Sequence, residues 1–300
     1  MSGLESVLGV VEEIAAAFIT FYLVALGHSI FEKAGLLDLA IDGIFFMSTG
    51  AAVLGAVVFG TPIAGSLIAA LVASLFGLLM AYLLTALPIS HGAVGLSLQF
   101  LGYGLGIVLG YPVRQQVGAL YAFCYSEEAL FEMVGLALLL GVLTYYLIEK
   151  TKLGAAIRAS GENPHAASAL GVNVLATRLV AAAIGFAIIG FGASFFPLLW
   201  QKYWDLKVYT LGYGWLAFTI ALAAGRHPIF LIPMAFLFGG LVEYSVTIQS
   251  LLKLPADVAK LIPFIGALGA MLAYSFTRLG RIFASPQSLG KIYYKEEKTL

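Results

Sequence analysis

A run of roughly 20 apolar residues is long enough to cross the hydrocarbon core of a bilayer as one helix. In this chain such runs follow one another almost without pause, near residues 12–30, 40–59, 63–86, 92–111, 129–148, 177–199, 210–225, 229–248 and 258–277. That pattern constrains the fold more than any motif does. Charged residues make up 11% of the chain, against about 25% in a soluble domain. With 61% hydrophobic residues in 300, the chain cannot hide its apolar surface from water. The expected fold is therefore an all-α polytopic membrane protein of about nine hydrophobic segments. Segments 40–59 and 210–225 are short or glycine-broken, so either can be re-entrant or bent.

Charge narrows the partners. The 16 basic and 16 acidic residues cancel, which excludes a nucleic-acid partner, since that asks for a basic face. The single cysteine, Cys124, excludes an internal disulfide and reads as a small packing residue. Glu5, Glu12 and Glu13 stand where a cleavable signal needs lysine or arginine, so the first helix is expected to be retained. The chain divides into a membrane domain over 1–277 and a polar tail over 278–300. If residues 150–176 face the cytoplasm, ten lysines and arginines lie inside, and Arg114, Lys202, Lys207 and Lys253 lie outside. This bias places the N-terminus outside and the C-terminus in the cytoplasm; the membrane itself is expected to be the plasma (inner) membrane.

Glycine marks the packing. Gly102, Gly106 and Gly110 recur every four residues on one helix face, where neighbouring backbones can approach closely. Gly185, Gly190 and Gly192, and Gly266 and Gly269, are expected to act similarly. The stretches GIFFMSTGAAVLGAVVFGTP (43–62) and GYGWLAFTIALAAGRHP (212–228) both open on glycine and close on a Gly-containing run before proline. Running in opposite directions, they read either as an inverted repeat beside a transport path or as a chance likeness.

Between the apolar runs lies KTKLGAAIRASGENPHAASALGVNVLATR, residues 150–178. Leu153 to Ser160 fit two helical turns, which Gly161 is expected to terminate in the left-handed conformation. Asn163 is a good N-cap and Pro164 a good first helical residue; a second short helix follows until Gly171 stops it. Helices this short are marginal alone. The loop is either a well-capped surface element or a docking element, and the small residues around Ala167 admit a close partner.

The run AIRASGENPHAASALGVNV resembles the cytoplasmic coupling loop of bacterial and archaeal ABC importer permeases serving branched-chain amino acids, ribose-type sugars and nucleosides. AGLLDLAIDGIFFMSTGA (34–51) resembles the family's second-helix signature, and GYGWLAFTIALAAGRHPIFLIPMAFLFGGL (212–241) its later Gly-Arg-x-x-Pro and Phe-Gly-Gly segment. The likeness covers most of residues 30–275 and is greatest to the shorter permease of nucleoside-type importers. Asp38, Asp42, Gln99 and Glu243 depart from the usual residues. The resemblance implies a type II-like permease subunit, a second permease subunit (a heterodimer favoured), two ATPase subunits and an extracellular or periplasmic solute-binding protein. It implies that Arg158, Gly161, Glu162, Asn163, Pro164, Ala167 and Gly171 couple to the ATPase. The cargo it implies is a nucleoside first, then a sugar, then a branched-chain amino acid.

No chemistry of its own is expected of the chain. The single Gly-Lys pair, Gly290–Lys291, lacks the flanking residues of a phosphate loop, so ATP and Mg belong to the partner ATPase. His28, His91, His165 and His227 have no metal-ligand spacing, and no nucleophile and base are paired. For the path, ionisable residues within the segments are the first candidates. Asp42 either favours its helix dipole, beside Asp38 as cap, or contacts solute. Glu243 is either solvated at the rim or a solute contact. Gln99 and Tyr103, one turn apart, bond either a solute or a neighbouring helix. Ser48 and Thr219 offer hydroxyls; Trp215 and Phe218 offer flat faces or simple packing. The rival class is an ion-coupled carrier or channel.

Overall fold

The computed structural model describes residues 3–114, 120–255, 258, 261–275 and 284–294. Among them every long element is a helix, as lipid requires of a backbone that must satisfy its own hydrogen bonds. In order they are α1 (Gly3–Lys33), α2 (Ile41–Phe59), α3 (Pro62–Ala86), α4 (His91–Arg114), α5 (Ala129–Lys150), α6 (Lys152–Glu162), α7 (Pro164–Ala169), α8 (Val174–Phe195), α9 (Tyr213–Ala223), α10 (Pro228–Glu243), α11 (Ser245–Leu252) and α12 (Ile262–Ser275). A π-turn, Phe196–Trp200, extends α8, and a 3-10 helix, Leu206–Leu211, precedes α9.

Seven stretches are long and apolar enough to cross a membrane: Gly9–Lys33, Ile41–Phe59, Pro62–Ala86, His91–Arg114, Ala129–Lys150, Val174–Trp200 and Leu206–Ala223. The segment expected at 229–248 is a bent pair, α10 and α11, meeting at 57°; counted as one span it makes eight. The ninth expected segment contributes α12, whose 14 residues fall short of a crossing, while 259–260 and 276–277 lie outside the described residues. The expected nine is thus seven or eight among the described residues.

α1 and α2 form the inner layer: 94% and 83% of their spanning windows are buried, against 22% for α5. α1 packs on α8, α10 and α9, and α2 packs on α4 and α3; the α3–α8 pair closes one side. Outward, α3 presents Ile63, Leu67, Leu71 and Leu75, one every four residues, as an exposed apolar ridge. Contiguous apolar surface of that kind suits lipid, not water.

Glycine sets the inner spacing. A Cβ on Gly43 would stand 2.2 Å from the Gln99 carbonyl oxygen, and one on Gly102 would stand 2.6 Å from the Gly43 carbonyl carbon, so the expected stripe on α4 is its seam with α2. Gly266 and Gly269 differ from expectation: neither would meet a backbone atom within 4 Å.

Two breaks place the interior polar groups. Residues 36–40 form no regular element, and α2 starts only after them. Its first turn lies beside Gln99, eight residues along α4 from His91, or about 12 Å at 1.5 Å per residue. Asp42 therefore sits inside the bundle, not at the rim where the segment boundary put it. The second break is Gly212, left-handed at φ 67°, which separates the 3-10 helix from the 11-residue α9.

Candidate functional site

The first turns of α2 and α9 meet. The Gly214 N–H donates to Asp42 Oδ1 at 2.8 Å, and a Cβ on Gly214 would stand 2.3 Å from the Asp42 Cα. From this junction α2 runs toward Gly60, while α9 runs toward Arg226, which pairs with Glu32 near the far end of α1. The two glycine-opened stretches thus leave one point in opposite directions. Asp42 serves both: it lies in the first turn of α2, where the helix dipole favours an anion, and it caps α9.

A polar chain continues from it. The Tyr103 hydroxyl donates to Asp42 Oδ2 at 2.6 Å, and Gln99 Nε2 donates to the Tyr103 oxygen at 3.1 Å. Gln99 Oε1 is buried without a partner among the described residues. Trp215 and Phe218 pack edge to face at 5.8 Å, and Phe218 in turn packs on the His28 ring at 5.1 Å. Asp42, Gln99, Tyr103, Trp215 and Phe218 are therefore one neighbourhood.

The remaining path candidates are placed differently. Ser48 is fully buried, and its hydroxyl has no partner among the described residues. Thr219 spends its hydroxyl on the Leu216 carbonyl of its own helix, at 2.8 Å. Glu243 is half-buried and accepts from Trp200 Nε1 at 2.7 Å, and Trp200 stacks on Tyr213. Asp38 does not cap α2, whose N-cap is Ala40. It accepts from the Ala40 N–H at 2.9 Å and faces His28 Nδ1 at 3.4 Å.

At the far end of α5 stands the polar loop. Thr151 caps α6 by accepting from Gly154 at 3.0 Å, Asn163 caps α7 by accepting from Ala166 at 3.0 Å, and Asn173 caps α8 by accepting from Ala176 at 3.1 Å. Pro164 opens α7, and Gly171 ends the turn after it at φ 88°. Gly161 corrects the sequence reading. It is inside α6, which runs through to Glu162, and it allows contact with α1: a Cβ there would stand 2.1 Å from the Lys33 carbonyl oxygen. Arg158 reaches back to the Ile148 carbonyl and to Glu149 Oε2, the latter at 3.1 Å. Pro164 and Ala167 face inward, whereas Glu162, Asn163 and Leu170 face out, Leu170 at 87% exposure.

Sequence reading missed three parts of this end. Arg178, fully buried, donates to the Ala34 and Ser160 carbonyls at 3.0 and 3.3 Å and pins the loop to α1. Arg226 pairs with buried Glu32, which lies 3.4 Å from His28 Nε2. Residues 284–294, expected as part of a plain polar tail, lie against the loop; with the end of α3 they border a groove of about 900 Å³. A lone arginine at the foot of an apolar run was the available signal for Arg178. At the adjoining α9–α10 turn, burial and the Lys33 charge hold His227 below the ordinary imidazole range.

A family model described as "Branched-chain amino acid transport system / permease component" matches residues 10–274. The chain is 23% identical over 301 residues to the nucleoside ABC transporter permease protein NupC of Lactococcus lactis, covering 91% of this chain and 92% of that one. It is 24% identical over 307 residues to the guanosine ABC transporter permease protein NupQ of Bacillus subtilis, covering 92% and 93%. It is 27% identical over 266 residues to a putative glucose ABC transporter permease protein of Haloferax volcanii, covering 81% and 78%. No solved structure matches.

Proposed function

Since the chain belongs to the permease-component family of branched-chain amino acid transport systems, and so is a multi-pass ABC transporter permease subunit, we propose that it passes a nucleoside inward, with a sugar as the next choice. The observation that carries the cargo reading is the Asp42–Tyr103–Gln99 chain beside the Trp215–Phe218 pair. It sets hydrogen-bonding groups next to flat apolar faces, which is what a ribose and a base ask for. The names of the nucleoside and guanosine permeases support the same choice.

Residues 150–176 dock the ATPase in the cytoplasm, with Glu162, Asn163 and Leu170 outward and Arg158, Gly161, Pro164, Ala167 and Gly171 shaping the loop. The C-terminus shares that side and the N-terminus is outside. A second, non-identical permease subunit completes the path, and a solute-binding protein delivers cargo. ATP and Mg act in the ATPase subunits; this chain supplies no nucleotide site. ATP shifts the permease pair between inward- and outward-open states only by its differential affinity for them.

The test has two steps. Co-purification with an ATPase subunit separates this reading from an ion-coupled carrier. Uptake of labelled nucleosides, ribose and leucine by the complete transporter then ranks cargo, with Gln99→Ala and Trp215→Ala expected to lose nucleoside uptake. Leucine uptake in preference to nucleosides by the parent would overturn the cargo reading.

A further inference from the structure

Residues 284–294 read ASPQSLGKIYY, too short and too mixed in polarity to announce an element of their own. Yet they make three separate attachments. At one end, Ser285 Oγ accepts from Arg226 Nη1 at 3.0 Å, at the turn joining α9 to α10. In the middle, the Ser288 N–H donates to the Gly161 carbonyl at 3.0 Å, and the Gly290 N–H donates to the Gly35 carbonyl at 3.3 Å. The Ser288 hydroxyl is buried against the Ser160 and Gly161 carbonyls, and the Gln287 N–H donates to Glu162 Oε2 at 3.3 Å. At the other end, Tyr293 is 7% exposed and packs with Ala167 and Val174. Its ring lies 5.1 Å from that of His165, and its face lies 5.5 Å from the Arg178 guanidinium.

We infer that residues 284–294 are a transmission strap that ties α6 and α7 of the docking loop to the α9–α10 turn, with Ser288 and Tyr293 as its positioning residues. The reading rests on residues 150–176 being the ATPase-docking element. The direction of the connection gives it meaning. Arg226 closes α9, and the other end of that helix, about 16 Å away for 11 residues, is the Gly214–Asp42 junction. A shift of α7 therefore reaches the polar junction along the strap and one short helix. The loop's other described contacts go to α5 through Arg158, to α1 through Gly161 and to α8 through Arg178. Arg226 is suited to receive the pull. It is buried, holds a left-handed backbone at φ 56°, and also grips Glu32 on α1, so the turn cannot slide without breaking a buried ion pair.

Such a strap is needed for coordination rather than for assembly. Coupling between two sites is carried by elements with two discrete arrangements, and it is measured as a ratio, not as a loss of binding. Removing the Tyr293 ring frees one end of the strap and leaves Glu162, Asn163 and Leu170 facing outward.

The experiment uses the complete transporter, reconstituted with its ATPase subunits and solute-binding protein. It compares Tyr293→Ala, Tyr293→Phe and Ser288→Pro with the parent. Solute moved per ATP hydrolysed should fall about fivefold or more in Tyr293→Ala and Ser288→Pro. Co-purifying ATPase should stay at the parent level, and Tyr293→Phe, which keeps the ring, should restore the ratio. A parent ratio in both disrupting variants overturns the strap. So does loss of the ATPase from them, because residues 284–294 would then be a docking element. Equal failure of Tyr293→Phe and Tyr293→Ala also overturns it. Failure of the parent chain itself to hold an ATPase would instead sink the functional reading, which this design reports separately.

Discussion

Replacing Gly161 by alanine sets two opposed effects against each other, and the structure says which wins. Glycine inside a helix is worth about 0.5–1 kcal/mol less than alanine, so the change favours α6 taken alone. The new Cβ would stand 2.1 Å from the Lys33 carbonyl oxygen, 1.3 Å inside the 3.4 Å at which ordinary contact begins. That oxygen is backbone and cannot rotate aside. Overpacking of this kind costs about 1–3 kcal/mol. The net expectation is a protein destabilised by about 1 kcal/mol, relieved by α6 moving off α1. That movement stretches the 3.0 Å bond from Ser288 to Gly161 and the 3.3 Å bond from Arg178 to Ser160. The reconstituted complex should then keep basal ATP hydrolysis and lose about fivefold of its solute-stimulated transport. Thermal unfolding in detergent and transport per ATP are read side by side. A Gly161→Ala protein as stable as the parent, with the same coupling ratio, would refute the close approach as the reason for glycine at this position.

Three further outcomes are expected. Asp42→Ala strands the buried Gly214 N–H, at about 1–3 kcal/mol for an unpaired buried group, whereas Asp42→Asn keeps one acceptor; equal unfolding temperatures for the two variants would contradict the capping role. Leu170→Cys in a Cys124→Ala background, 87% exposed in the parent, should react with an impermeant maleimide only in inside-out vesicles; labelling of intact cells would reverse the topology. His227 Nδ1 accepts from the Ile229 N–H at 3.3 Å and caps α10. Burial first, and Lys33 second, depress its folded pKa, so the unfolded chain binds more protons as pH falls through about 6.5. Stability present above that pH should be lost below it, and His227→Asn, which caps without titrating, should flatten the loss measured by thermal unfolding.

Local chemistry was legible in the sequence and long-range chemistry was not. The caps at Asn163 and the stop at Gly171 depend on residues within one turn, so their residue types alone specify them. Gln99 and Tyr103 were placed one turn apart with a solute or a neighbouring helix as partner; their bond to each other, which four residues on a helix permit, was not read. Gly161 looked like a helix terminator because a glycine needed for close approach is written the same way as one needed for a left-handed turn. What distinguishes them is the Lys33 carbonyl, far away in the chain. Asp42 could be placed in its own first turn, but Gly214 as its acceptor-seeking neighbour could not. Residues 284–294 read as solvated tail because their attachments, backbone and serine hydrogen bonds and one ring, have partners far away in the chain. Counting apolar runs found seven spans among the described residues; at 229–248 the run is the bent pair α10 and α11, and at 258–277 the described residues hold α12 alone.

The meeting of two helix starts on one carboxylate has an electrical consequence. Each helix N-terminus carries a fixed dipole end of roughly half a positive charge, so α2 and α9 together present about one. That offsets the single negative charge of an ionised Asp42, and the junction as a whole is close to neutral. A free charge crossing the full membrane potential exchanges about 2.3 kcal/mol per 100 mV with the field. A neutral junction exchanges little with that field, and the proposed cargo, an uncharged nucleoside, would add nothing. On the proposed reading, turnover would be driven at the docking loop, and the membrane voltage would have little lever on this junction.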